Sequence, residues 1–158
     1  MVSYREATCD DLPYVCALGN QVNAVHHAAW PHIFAGAGVP ERDREHWLQS
    51  IGRDTAATFV AEEGRHIIGF VTVGLVTEAH TLLQPLRYAR VGSIGVDASR
   101  RGGGIGSKLM AVAENWAIAQ GAQEMRLNVW AFNEAAMSMY AELGYEVRSH
   151  LLGKTLGG

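Results

Sequence analysis

Apolar residues recur at helical spacing in four stretches of this chain and at alternating spacing in several shorter ones. Leu12, Val15, Leu18, Val22 and Val25 fall on one face of a helix that begins near Asp10 and is stopped by Trp30-Pro31. Thr8 and Asp11, three apart before that run, have the form of a capping box. Trp47, Leu48 and Ile51 predict a second, short helix over Glu41 to Ile51. Ile105, Leu109, Val112, Ala113, Trp116 and Ala117 predict a longer third helix closed by Gly121, and Asn133 to Leu143 a fourth closed by Gly144. Between them, Ser3 to Ala7 alternates weakly. Thr58 to Glu62 and His66 to Thr77 are rich in β-branched and aromatic residues, and Glu63-Gly64 between them signals an antiparallel hairpin. Val91, Ile94 and Val96 mark another strand, Met125, Leu127 and Val129 a clear one over Gln123 to Trp130, and Tyr145 to Leu152 a final one. The order β, α, α, β, β, β, α, β, α, β predicts an α/β protein with a mixed sheet, organised as a single domain over residues 1–158.

Composition narrows the classes of partner. With 48% apolar residues in 158, the chain can bury a real core, and a formal charge of −3 gives no basic field for nucleic acid. The only cysteines, Cys9 and Cys16, form no CxxC pair, and the histidines have no zinc-ligand spacing, so neither a disulfide scaffold nor a metal is expected. No stretch reaches the ~18 apolar residues of a membrane span, and the N-terminus has no apolar signal core, so a cytoplasmic location is expected.

The candidate chemistry sits in Val91 to Gln120. Gly92 and Gly95 interrupt the strand, which reads as locally irregular or closely approached by another group. Gly102, Gly103, Gly104 and Gly106 then lead into the third helix, whose unpaired N–H groups and positive dipole end favour a phosphate or pyrophosphate. Spacing separates the phosphate-binding classes. A Walker A loop needs Lys directly after the last glycine, but Ser107 intervenes before Lys108; a dinucleotide fingerprint needs glycine where Ser107 stands.

Arg101-Gly102-Gly103-Gly104-Ile105-Gly106 matches the [QR]xxGx[GA] pattern of the GNAT superfamily of N-acetyltransferases, and Asn133 to Tyr145 closely resembles its second signature, NxxAxxxYxxLG[FY]. The resemblance implies a mostly antiparallel central sheet flanked by helices, acetyl-CoA as cosubstrate and an amine as acceptor, either a small molecule or a protein N-terminus or lysine. It also implies that the main chain from Arg101 to Ser107, through Gly102, Gly103, Gly104, Ile105 and Gly106, holds the pyrophosphate. Ile94, Gly95 and Val96 then carry the pantetheine arm, and an N–H among them stabilises the oxyanion. Asn133 corresponds to the asparagine that bonds the CoA arm, and is equally suited to cap a helix. Tyr140 corresponds to the general acid that protonates the departing thiolate. Such direct transfer needs no enzyme nucleophile, and Cys9 and Cys16 read as small buried residues.

One departure from the family pattern stands out: Val91-Gly92-Ser93-Ile94 carries no carboxylate to serve as base. Glu78, His80, the histidines at 26, 27 and 32, and a water chain along backbone carbonyls are the alternatives. The acceptor pocket is expected from the first two helices, the apolar loop from Pro31 to Pro40 and the connection from Thr77 to Arg87. A second reading, an acyl-CoA-binding sensor without turnover, draws on the missing carboxylate and is opposed by Tyr140. A homodimer is common for the fold, yet no residue marks an interface.

Overall fold

The computed structural model describes residues 1–36 and 38–157. By internal contacts the chain forms two compact units, Met1–Asn128 and Val129–Gly158.

The first unit is built on one five-stranded sheet in the order β1-β2-β3-β4-β5: Val2–Glu6, Ala56–Glu63, His66–Glu78, Leu86–Val96 and Glu124–Leu127. The first three pairings are antiparallel and β4 pairs β5 in parallel, so the sheet is mixed and mostly antiparallel as expected. Helices α1 (Leu12–Ala29), α2 (Pro40–Leu48) and α3 (Ile105–Ala119) flank it. α1 follows a single 3₁₀ turn, Cys9–Asp11, at which the Thr8 N–H donates to Asp11 Oδ2 (2.8 Å). The expected carboxylate half of a capping box is therefore present, one turn ahead of the α-helix.

The two faces of the sheet are set by alternation along β3. A side chain at Gly69 would meet Leu109 and Ile105 of α3. The next residue, Phe70, joins Ala7, Val15, Leu18 and Val60 in a core cluster with Val22 and Trp47 packed against it. α3 thus covers one face, and α1 with α2 the other. Phe70 and Trp47 meet edge to face, with ring centroids 5.2 Å apart.

The strand that the sequence marked as irregular proves to be so. Thr72 pairs with Ser93 and Val73 with Val91, which leaves Gly92 as an extra residue in β4, a β-bulge. The Ser93 N–H turns to Thr72 Oγ1 (2.9 Å), and a side chain at Gly92 would come within 2.8 Å of that same oxygen. Gly95 is the closely approached position: an added Cβ would lie 2.7 Å from Val22 Cγ2 and 2.8 Å from Phe70 Cε1. Replacing Gly95 by Ala should therefore cost about 1–2 kcal/mol of stability through overpacking. Chemical denaturation should show it, and an unchanged midpoint would mean that α1 slides away freely.

The second unit holds α4 (Glu134–Glu142), whose first free N–H groups are capped by Asn133: its Oδ1 accepts from the Ala136 N–H at 3.2 Å. The strand expected over Tyr145 to Leu152 is not formed. This segment pairs with no strand among the described residues, and Val147, Leu151 and Leu152 are 68%, 91% and 89% exposed. Alternation of apolar residues favours a strand only where a ladder and a covering layer accept it, and neither receives this segment. The strand expected over Gln123 to Trp130 is likewise shorter, ending at Leu127.

Candidate active site

The glycine loop and the strand before it make a continuous surface of main-chain donors in the first unit. β4 ends at Val96, Asp97 caps a 3₁₀ turn (Ala98–Arg100) by accepting from the Ser99 N–H at 2.9 Å, and the loop then enters α3 at Ile105. Gly102 and Gly104 have φ of +83° and +78°, the left-handed conformation that disfavours any side chain. Gly104 is the N-cap and offers no side chain, and the first bond of the helix runs from the Lys108 N–H to the Gly104 carbonyl (3.1 Å). The N–H groups of Ile105, Gly106 and Ser107 consequently precede the helical ladder, at the positive end of a 15-residue helix.

Two arginines fix this loop. Arg101 reaches back to the Val96 carbonyl through Nε (3.4 Å). Arg100 pairs through both terminal nitrogens with the carboxylate of Glu63 at the end of β2. A cavity of about 430 Å³ borders the loop, lined among others by Tyr4, Ser99, Arg101, Gly103 and Lys108.

Beside the loop, β4 has one open edge within its unit. β3 pairs with it from Leu86 to Val96, but β5 pairs only with Tyr88 to Val91. The Asp97 N–H donates to the Ile68 carbonyl (2.8 Å) and the Ser93 N–H to Thr72, both toward β3. Ladder alternation then turns the N–H groups of Ile94 and Val96 to the edge that β5 leaves uncovered. An extended acyl chain can add there as a strand does.

α1 is tied to this end of β4. Gln21 donates to Asp97 Oδ2 (3.4 Å) and accepts from the Ala98 N–H (3.3 Å), while Val22 faces Gly95. His26 stands one turn beyond Val22. Its Nδ1 lies 2.7 Å from the Val22 carbonyl and its ring packs edge-on to Phe34, and His27 Nδ1 lies 2.8 Å from the Phe34 carbonyl. Asn23 donates to the carbonyls of Ala35 and Gly36, both at 3.0 Å, so the three residues hold the start of the loop that follows α1. Ala37, within that loop, lies outside the described residues.

In the second unit Tyr140 is 7% exposed, its ring edge-on to Tyr145 at 5.9 Å, and burial raises its pKa above the ordinary phenol value. Cys16 is partly buried and burial raises its thiol pKa as well, while Cys9 is exposed, contrary to expectation, since the residue that the 3₁₀ turn buries is Asp11. Sequence reasoning overlooked the grouping of Tyr88, Arg90, Glu124 and Arg126 on adjacent strands. Their shared spacing of two in β4 and β5 was its only trace, and the strands' register was needed to read it.

The sequence profile of the acetyltransferase (GNAT) family matches residues 22–145, and the chain belongs to that family. Among curated relatives, the mycothiol acetyltransferase of Streptomyces scabiei is 32% identical over 107 residues, covering 68% of this chain and 31% of the relative. That of Streptomyces coelicolor is 29% identical over 122 residues, 77% of this chain and 37% of the relative. The chain thus spans about a third of the length of the curated relatives it matches. Among solved structures, a mutant of the BH1408 protein from Bacillus halodurans superposes with a TM-score of 0.90 at 24% identity, over 98% of this chain and 99% of that one. The aminoglycoside N-acetyltransferase AAC(6')-Iy in complex with CoA superposes with a TM-score of 0.80 at 18% identity, over 100% and 96%. These likenesses establish the fold. Among the described residues no helix is long and apolar enough to cross a membrane, and no cluster of three or more His, Cys, Asp or Glu could hold a metal ion.

Proposed function

We propose that this chain is an acetyl-CoA-dependent N-acetyltransferase that passes the acetyl group directly to a primary amine, working as a single domain. The observation that carries this reading is the junction of β4 with α3, where edge N–H groups lead into a helix start with three N–H groups ahead of its ladder. The loop donors from Arg101 to Ser107 take the pyrophosphate, and the outward N–H and C=O groups of Ile94 and Val96 take the arm. Asn133, already capping α4, is the further residue the family pattern assigns to the arm.

The amine lone pair forms the new C–N bond as the thioester carbonyl opens. Negative charge then gathers on the carbonyl oxygen, and an edge N–H, foremost that of Ile94, stabilises it. Collapse breaks the C–S bond, and Tyr140 supplies the proton to the thiolate. The nitrogen must also lose a proton. Glu78 is poorly placed for this, since it stands seven residues beyond Val71, the partner of Ile94, or roughly 23 Å at about 3.3 Å per residue. His80 lies further along the same connection. We therefore route this proton through water along the open edge, with His26, one turn beyond Val22, as the alternative side chain.

Release of CoA thiol, followed with a thiol reagent in the presence of acetyl-CoA and an amine panel, tests the reading. Amine-dependent release supports it, whereas tight CoA binding with no release for any amine would overturn it. Gly104→Ala gives a second check: the added Cβ meets nothing within 4 Å, so its effect is backbone strain alone. About 1–2 kcal/mol of that strain should appear as roughly ten-fold weaker acetyl-CoA binding. Unchanged affinity would show that the cradle does not hold the pyrophosphate.

A further inference from the structure

On the α1 face of the sheet lies a group of charges that the proposed transfer does not use. Gly95 faces Val22, and the extra residue Gly92 shifts the alternation, so Ser93, Arg90 and Tyr88 share that face of β4. Register places Gly74, Val76 and Glu78 of β3 and Glu124 and Arg126 of β5 beside them. Tyr88 is 3% exposed, and its hydroxyl donates to Glu78 Oε2 at 3.1 Å. The Arg126 guanidinium stacks over the Tyr88 ring, 4.0 Å from its centroid, while its Nε donates to Glu124 Oε1 at 2.6 Å. The charge of Arg126 is thereby offset by Glu124, and more distantly by Glu78.

Arg90 is different. Its guanidinium carbon lies 6.0 Å from the Tyr88 centroid, its β3 partner Gly74 has no side chain, its β5 partner Arg126 is already engaged with Glu124, and it makes no ion pair or hydrogen bond among the described residues. An exposed guanidinium held beside an aromatic ring and engaged with no protein anion is available to take a carboxylate in bidentate fashion.

We propose that Arg90 determines acceptor specificity by binding a carboxylate on the acceptor, so that the substrate class is amines that carry a carboxylate at a short distance from the reacting nitrogen. This rests on the acetyl-transfer reading above. Arg90 precedes Ile94 by four residues, one of them taken up by the bulge, or roughly 10–13 Å along the strand. The arginine side chain closes part of that interval, and the carbon chain between the amine and carboxylate of the acceptor closes the rest. The nearby charges agree, since Arg126 and Glu124 are engaged with each other and Glu78 accepts from Tyr88, which leaves Arg90 to meet an anionic group of the acceptor.

The test compares ω-amino acids of increasing length, each with its own carboxamide, as acceptors for the wild type and for Arg90→Gln, reading kcat and KM separately. The wild type should favour the carboxylate over the carboxamide by about ten- to hundred-fold in kcat/KM, at one preferred length, chiefly through KM. Arg90→Gln should erase that preference while leaving kcat for the carboxamides unchanged. Turnover of carboxamides as good as that of the acids, or a preference that survives in Arg90→Gln, would overturn the proposal while leaving acetyl transfer intact. No turnover of any amine would overturn both readings.

Discussion

Phe in place of Tyr140 is expected to lower turnover by about 10²- to 10⁴-fold while acetyl-CoA affinity stays within about three-fold. The exchange is a clean one. Tyr140 buries its ring against Tyr145, and Phe preserves that edge-on packing and removes only the oxygen. Burial lifts the phenol above its ordinary range, so the residue is protonated at neutral pH, as a proton donor must be. At ordinary values, transfer from a phenol near 10 to a thiolate whose thiol sits near 8.5 is uphill by about 2 kcal/mol, a small part of a catalytic barrier. Any fall in turnover due to loss of this proton belongs above pH 10. A fall at lower pH reports another group and should persist in Tyr140→Phe. Wild-type turnover in that variant, measured by thiol release, would move the acid elsewhere.

The largest loss of stability should come from Asp11→Asn, which we expect to cost about 3 kcal/mol in chemical denaturation. Asp11 is 5% exposed and accepts from both terminal nitrogens of Arg5, at 2.8 and 2.9 Å, as well as from the Thr8 N–H. Arg5 also donates to Glu62 on β2 at 2.9 Å, so one guanidinium joins β1, β2 and the start of α1. Its own side chain is 38% exposed, which is why the expected cost stands at the low end for a broken buried pair. The hydrogen bonds from Arg5 hold the Asp11 carboxyl below its ordinary range, against the opposing effect of burial. The folded-state pKa lies below the unfolded one, so this contribution is complete above about pH 3.9 and is lost as pH falls through the folded value. Wild type and Asp11→Asn should therefore converge in stability toward low pH. A constant gap between them would assign the loss to packing rather than charge.

Much of the fold could be read from the sequence because its elements carry strong local signals. Val15, Leu18 and Val22 lie on the buried side of α1 as their spacing required, and Gly64, with φ of +64°, turns the hairpin at the expected place. The glycines at 92 and 95 announced two different things, a bulge and a close approach, which one pattern could not separate. Val147, Leu151 and Leu152 misled because a strand exists only with a partner, and alternation says nothing about the partner. Asn133 does serve as the helix cap that its type suggested, and the glycines from Gly102 to Gly104 run into the start of α3 as their spacing before the apolar run required. The pairing of Arg100 with Glu63 and the stack of Arg126 on Tyr88 join residues 37 and 38 positions apart, and only register brings them together.

Gly92 ties the facing of each half of β4 to the number of residues in the strand. The strand behaves as two rulers joined out of step by one mark, the first presenting Tyr88 and Arg90, the second presenting Gly95. Removing that one residue would bring the rulers into step and turn either half over. Tyr88 and Arg90 would then point into α3, or Gly95 would no longer meet Val22. Length changes in the connection from Ala79 to Pro85 disturb neither ruler. Variation in acceptor preference can thus be written into the loops by substitution or insertion, but into the strands by substitution alone.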